Sequence, residues 1–283
     1  RSVLRQVRRR DGPDVKSISR VVVPAFPSDV RIITCHHFLL QALHKIMLSI
    51  SDLSFSYGEV QVLRGIDIHV PPETIVAVMG RNGVGKTTLM NNVVGLLKPS
   101  SGSIKLEGQE IIGLQAHRRV RAGLAYVPQG RMIFPKLTVE ENLKIGLSAR
   151  TDGQLRVPEE VYELFPILSE MGQRMGGDLS GGQQQQLAIG RALVTDPKVL
   201  ILDEPTQGID VGAKAEIHQL ISELASSGLA ILLISSDLPE LLGLADQVVV
   251  MHAGRVKAEF SRIEATQERV IEAATGQVAG ARV

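Results

Sequence analysis

Apolar and polar positions alternate with period two through Leu48-Ser49-Ile50 and Leu53-Ser54-Phe55-Ser56, the pattern of a half-buried antiparallel strand. Val62-Leu63 and Ile66-Asp67-Ile68-His69-Val70 continue that pattern, and Ser103-Ile104-Lys105-Leu106, closed by Glu107-Gly108, adds another strand. Elsewhere the alternation gives way to short unbroken apolar runs: Ile75 to Met79, Leu124 to Pro128, Val199 to Leu202, Ala230 to Ile234 and Val248 to Met251. Such runs suit strands buried on both faces. The last three are separated by helical patterns, Ala213 to Ser226 and Leu238 to Ala245, and so belong in a parallel sheet. Residues 135–178 are mostly helical in pattern, with Val139 to Leu147 and Val161 to Met171 the clearest stretches. The expected fold class is α/β, with a parallel-sheet core, an N-terminal antiparallel β subdomain and a helical subdomain.

Between the run ending at Met79 and a helix-forming stretch from Thr88 to Val94 lies Gly80-Arg81-Asn82-Gly83-Val84-Gly85-Lys86-Thr87-Thr88. This fits the G-x-x-x-x-G-K-[ST] phosphate-binding pattern in its required strand–loop–helix context, so a P-loop NTPase core is expected. Glycines let backbone N–H groups turn inward around an anion, and the helix N-terminus adds partial positive charge. Lys86 is expected to reach the β- and γ-phosphates of ATP, and the Thr87 hydroxyl to ligate Mg²⁺.

Asp203 and Glu204 follow the apolar run Val199 to Leu202, at the end of a strand where α/β proteins place their ligands. Asp203 is expected to hold Mg²⁺ through water, and Glu204 to accept a proton from the water that attacks the γ-phosphate. Leu179-Ser180-Gly181-Gly182-Gln183 reads as a loop entering a helix, with Ser180 as N-cap and two glycines exposing backbone N–H groups. That makes a second anion site, which phosphate-loop enzymes in general do not need.

With this element in view, residues 47–270 resemble the ATP-binding subunits of ABC transporters. In that family two subunits meet head to tail, and the resemblance implies that Ser180, Gly181, Gly182 and Gln183 close over nucleotide held by a second ABC ATPase subunit. It further implies that Tyr57 stacks on adenine and that Gln129, in Tyr126-Val127-Pro128-Gln129-Gly130, touches Mg²⁺ and water and relays contact with a membrane permease. Asp210, in Gln207-Gly208-Ile209-Asp210, matches the aspartate loop coupling the two sites. One position departs: where the family usually places a histidine, this chain has Ser236, which donates a single hydrogen bond and carries no imidazolium charge. Slower hydrolysis, or dependence on a partner, is the expected consequence. His218 and His252 are not read as replacements.

Within the family, two branches share the chain. Residues 47–195, including Gly80 to Thr87, Tyr126 to Arg131 and Leu137 to Leu143, resemble the urea and branched-chain amino acid importers. Residues 196–270, including Gly208 to His218 and Ile234 to Glu240, resemble the C-terminal cassette of simple-sugar (ribose/xylose-type) importers. A fusion of the two near 194–206 fits this division. The front portion contains the helical subdomain that meets the permease, so urea or branched-chain amino acid import is the expected function and sugar import the alternative. A solute-binding protein is then an indirect partner, and the cytoplasmic face of the inner or plasma membrane the expected location.

Composition narrows the alternatives. Aromatic residues make up 3% of the 283 residues and Trp is absent, which leaves stacking-based nucleic-acid binding little to work with. Only about fifty residues separate Gln129 from Ser180, too few for the long coiled-coil insertion of DNA-acting relatives. A catalytically weak regulatory subunit stays open because of Ser236. No apolar run reaches the roughly 18–20 residues of a membrane helix. The single Cys35 fits a reducing compartment. Residues 1–46 carry nine Lys/Arg against three Asp, a net of +6 on a chain whose total is +1. The arginines invite a targeting-peptide reading without the amphipathic periodicity to support it. Cys35, His36 and His37 lack a fourth ligand at helical or hairpin spacing, His44 included, so no metal site is assigned there. Residues 1–46 are expected to be a basic extension, with the ATPase domain over 47–270 and a tail over 271–283.

Overall fold

The computed structural model describes residues 46–276. Two sheets form the frame. The first, in order β2-β1-β4-β5, is antiparallel and comprises β1 (Leu48–Tyr57), β2 (Val60–Val70), β4 (Ser101–Leu106) and β5 (Gln109–Glu110). The second, in order β10-β9-β3-β8-β7-β6, comprises β3 (Ile75–Met79), β6 (Leu124–Val127), β7 (Val199–Asp203), β8 (Ala230–Ile234), β9 (Gln247–His252) and β10 (Arg255–Ser261). Its strands from β9 to β6 run parallel, and β10 pairs antiparallel with β9 at the edge.

The unbroken apolar runs hide a period of two. Val76, Val78, Val199, Ile201, Leu232 and Ile234 pack toward the antiparallel sheet and the helix α1 (Lys86–Val94). Their alternates Ala77, Leu200, Leu202, Ile231 and Leu233 pack on the other face. That face is covered by α6 (Gly181–Leu193), α7 (Val211–Ser226) and α8 (Leu238–Leu244). Burial on both faces is what a strand of a covered parallel sheet requires.

In β1 the alternation changes phase between Ile50 and Leu53, and both side chains are buried. Asp52, at φ 48°, takes up the extra residue as a bulge, and its N–H is met by the Asp67 carboxylate at 2.9 Å.

The helical subdomain runs through α3 (Val139–Leu147), α4 (Glu159–Leu164) and α5 (Pro166–Glu170). The single helix expected from Val161 to Met171 is thus two. Pro166 donates no N–H and disfavours helical backbone at Phe165, which sits at φ −130°, ψ 73°. The sequence pattern did not announce α2 (Ala116–Ala122), whose surface is largely polar, nor β5, β10 and α9 (Gln267–Thr275). In α9, Ala273 and Ala274 are buried, so the packed region continues past residue 270 into the segment expected to be a tail. The basic stretch up to Lys45, with Cys35, His36, His37 and His44, lies outside the described residues.

Candidate functional site

A cleft of about 380 Å³ opens at the C-terminal ends of β3, β8, β7 and β6, where their loops converge. Asn82, Gly83, Gly85, Lys86, Thr87, Thr88, Gln129, Asp203, Glu204 and Ser236 all line it, joined by Val62 and Gln207. The sequence marks Gln207 only as a neighbour of Asp210 and Val62 only as a strand position, and gives neither a place in the cleft. Gln207 stands three residues past Glu204, so only its position offered a signal.

The loop from Gly80 to Gly85 bends on glycine. Gly85, at φ 108°, is the N-cap of α1, a conformation an L side chain rarely adopts. It offers no capping side chain, so the first-turn N–H groups of α1 face the cleft without a side-chain acceptor. Lys86 begins that helix and is buried. Its ammonium donates to the Gly80 carbonyl and, at 3.3 Å, to that of Arg81. Burial lowers its pKa, opposed by the negative charges of Glu204 and Asp203.

Asp203 closes β7 and is buried, with the Tyr126 hydroxyl donating to its Oδ2 at 3.2 Å. Burial raises its pKa and Glu204 adds to the rise, while the Tyr126 hydrogen bond and Lys86 oppose it. Glu204 follows in left-handed backbone, at φ 50°, with its N–H paired to the Ile234 carbonyl at 2.8 Å. Such a conformation is uncommon in a residue other than glycine. The carboxylate oxygen Oε2 accepts the backbone N–H and the hydroxyl of Ser236, each at 3.1 Å. Gln129 Nε2 donates to Gln207 Oε1 at 2.7 Å, linking the loop after β6 to the loop after β7.

Gly80, Arg81 and Val84 complete the loop beside Lys86, while Tyr57, Ser180, Gly181, Gly182, Gln183 and Asp210 are not among the residues that line the cleft. Ser180 is exposed at the tip of α6 and caps it, accepting from Gln183 N–H at 3.3 Å while the Gln183 side chain accepts from Ser180 N–H at 2.9 Å. Gly182 faces α7 so closely that a Cβ there would lie 2.7 Å from that of Ala213. Asp210 caps α7 through Ala213 N–H at 3.0 Å. Tyr57 is half exposed at the end of β1, edge-on to Phe55 with ring centres 4.7 Å apart. His218 and His252 are engaged elsewhere, with Glu240 and the Ala274 carbonyl. Among the described residues no His, Cys, Asp or Glu cluster has metal-binding geometry, and no helix is long and apolar enough to cross a membrane.

The ABC transporter family model matches residues 63–207. The high-affinity branched-chain amino acid transport ATP-binding protein BraG of Pseudomonas aeruginosa is 40% identical over 212 residues, covering 74% of this chain and 91% of that protein. The ribose import ATP-binding protein RbsA 1 of Streptomyces coelicolor is 40% identical over 230 residues, 77% of this chain but only 45% of that longer protein. A nucleotide-free ATP-binding cassette of an ABC transporter superposes with a TM-score of 0.70 at 30% identity, over 81% of this chain and 98% of that one. A cassette in its ADP conformation gives 0.69 at 29%, over 81% and 95%. The converging phosphate loop, strand-end carboxylates and exposed serine-capped helix therefore have a family: the chain belongs to the ABC transporter ATP-binding proteins, the ATPases that drive transport.

Proposed function

We propose that the chain is the ATPase subunit of an importer, working with a membrane permease at the cytoplasmic face of the membrane to take up urea or branched-chain amino acids. The observation that carries this reading is the meeting of Lys86, Thr87, Asp203, Glu204 and Gln129 in one cleft while Ser180 stays exposed outside it. One copy holds the triphosphate, and a second copy supplies the serine-capped helix tip. The choice of solute leans on BraG, of which this chain spans 91%, whereas the ribose relative is about twice as long.

In this reading Lys86 leaves the loop carbonyls of Gly80 and Arg81 for the β- and γ-phosphates, to which first-turn N–H groups of α1 also donate. Tyr57 lies against adenine. The Thr87 hydroxyl, the Gln129 amide and the Asp203 carboxylate offer the hard oxygen donors Mg²⁺ takes, with Asp203 through water. Mg²⁺, bound together with the nucleotide, neutralises phosphate charge. Glu204, steadied by Ser236, takes the proton of the attacking water. Asp210 and Gln129 carry closure to the second site and to the permease.

Glu204→Gln is expected to bind ATP and remain dimeric, seen as an ATP-dependent shift on size exclusion. A variant that stays monomeric with ATP removes the head-to-tail arrangement. A second reading, simple-sugar import, is favoured by Ser236 and the Ser235-to-Glu240 stretch. Co-purification with the permease, followed by solute-stimulated ATP hydrolysis, separates them: urea or leucine as stimulant supports the first, ribose or xylose the second.

A further inference from the structure

Glu240, on α8, is a buried carboxylate that the reading above does not use. Three segments meet on it. Thr206 Oγ1 lies 2.8 Å from each of its oxygens, Ser235 Oγ donates to Oε2 at 2.7 Å, and His218 Nε2 lies 3.0 Å from Oε1. Thr206 and Ser235 are themselves buried, and Ser235 Oγ also accepts the Asp237 N–H at 3.0 Å. A carboxylate out of water is costly unless its lone pairs are met. These donors come from the loop after β7, the loop after β8 and α7, so satisfying Glu240 fixes those segments relative to one another.

The same two loops hold the proposed base. Thr206 is two residues past Glu204, and Ser235 precedes Ser236, whose N–H and hydroxyl both donate to Glu204. We infer that Glu240 is a positioning residue for hydrolysis: by pinning Thr206 and Ser235 it sets where Ser236 holds the Glu204 carboxylate. The Ser236 side chain is short, so its hydroxyl reaches Glu204 only while the loop is held in place. A role confined to stability would show in the melting temperature, leaving turnover per folded molecule unchanged.

The inference rests on Glu204 as base, so Glu204→Gln is assayed alongside. Steady-state ATP hydrolysis is measured for Glu240→Gln, Ser235→Ala and Ser236→Ala, with the folded fraction established by thermal unfolding. Glu240→Gln and Ser235→Ala are expected to lower kcat roughly ten- to hundredfold with KM for ATP within about threefold. Adding Ser236→Ala to either should cost little more, because all act through one carboxylate. Should Glu240→Gln fail to fold, Ser235→Ala carries the test. Unchanged kcat, a rise in KM with kcat intact, or effects that multiply in the double variant overturns the inference. If Glu204→Gln itself hydrolyses ATP like the parent, the assignment of the base has failed instead.

Discussion

Arg131 Nη2 donates to the carbonyls of Gly208 at 3.0 Å and Gln207 at 3.3 Å, and Nη1 to Gln184 Oε1 at 3.3 Å. One guanidinium thus joins the loop after β6, the loop after β7 and α6. Arg131→Ala should leave the fold intact and raise amide exchange over residues 207–210 by roughly tenfold, since charge-assisted bonds hold that loop. Hydrogen–deuterium exchange reads this directly, and equal protection in both proteins would show that the tie contributes nothing.

Arg119 is fully buried and gives its guanidinium to four carbonyls: Asn92 and Val93 at 2.7 Å, Ile112 at 2.7 Å and Leu114 at 3.0 Å. Two of them end α1, the helix that starts at the phosphate loop, where a cation also suits the helix dipole. Arg119→Met should destabilise the protein by about 3–5 kcal/mol by leaving buried carbonyls unpaired. Arg119→Lys should recover only part of that, because one ammonium does not reach all four. Urea denaturation is the measurement, and a loss below about 1 kcal/mol would contradict the account.

Lys86→Met should weaken ATP binding by roughly 30- to 100-fold, through lost charge-assisted phosphate bonds. Burial already lowers the Lys86 pKa, so replacing it with an apolar side chain should leave the melting temperature unchanged or higher. Calorimetry with ATP tests the first part and thermal unfolding the second. Parental affinity in the variant would remove Lys86 from the site.

Asp152 offers a pH test away from the cleft. The Arg150 guanidinium is the main cause holding its carboxyl down to about 2, below the 3.8 of an unperturbed Asp, with the Gln154 N–H adding to the effect. Because the folded value is depressed, the stabilisation is fully present above pH 3.8 and is lost as pH falls through 2. Carboxyl carbon NMR should place the Asp152 midpoint near 2, and a midpoint at or above 3.8 would mean that the ion pair does not persist in solution.

The frame of the cleft was legible because its signals are local. The glycine loop, the apolar strands and the acidic pair after β7 each occupy a few consecutive residues, and strand adjacency brings them together. Ser180 as an N-cap was readable for the same reason. The Glu240 cluster was not: its partners lie 34 residues away at Thr206 and 22 at His218, and nothing in their spacing marks them as neighbours. Likewise Arg119 reads as one more basic residue of a polar helix until the fold closes four carbonyls around it. Phe165-Pro166 was legible in principle, since proline chemistry outranks the apolar periodicity that suggested one continuous helix.

The reciprocal cap at the head of α6 has a kinetic meaning. Ser180 uses an oxygen lone pair to receive the Gln183 amide, so its hydroxyl hydrogen is still free to be given away. The helix tip is therefore capped before any anion arrives, and a phosphate docking there, as proposed above, would meet an ordered end instead of a coil that must first be ordered. On the proposed head-to-tail pairing, docking of two copies needs little local refolding at this helix tip.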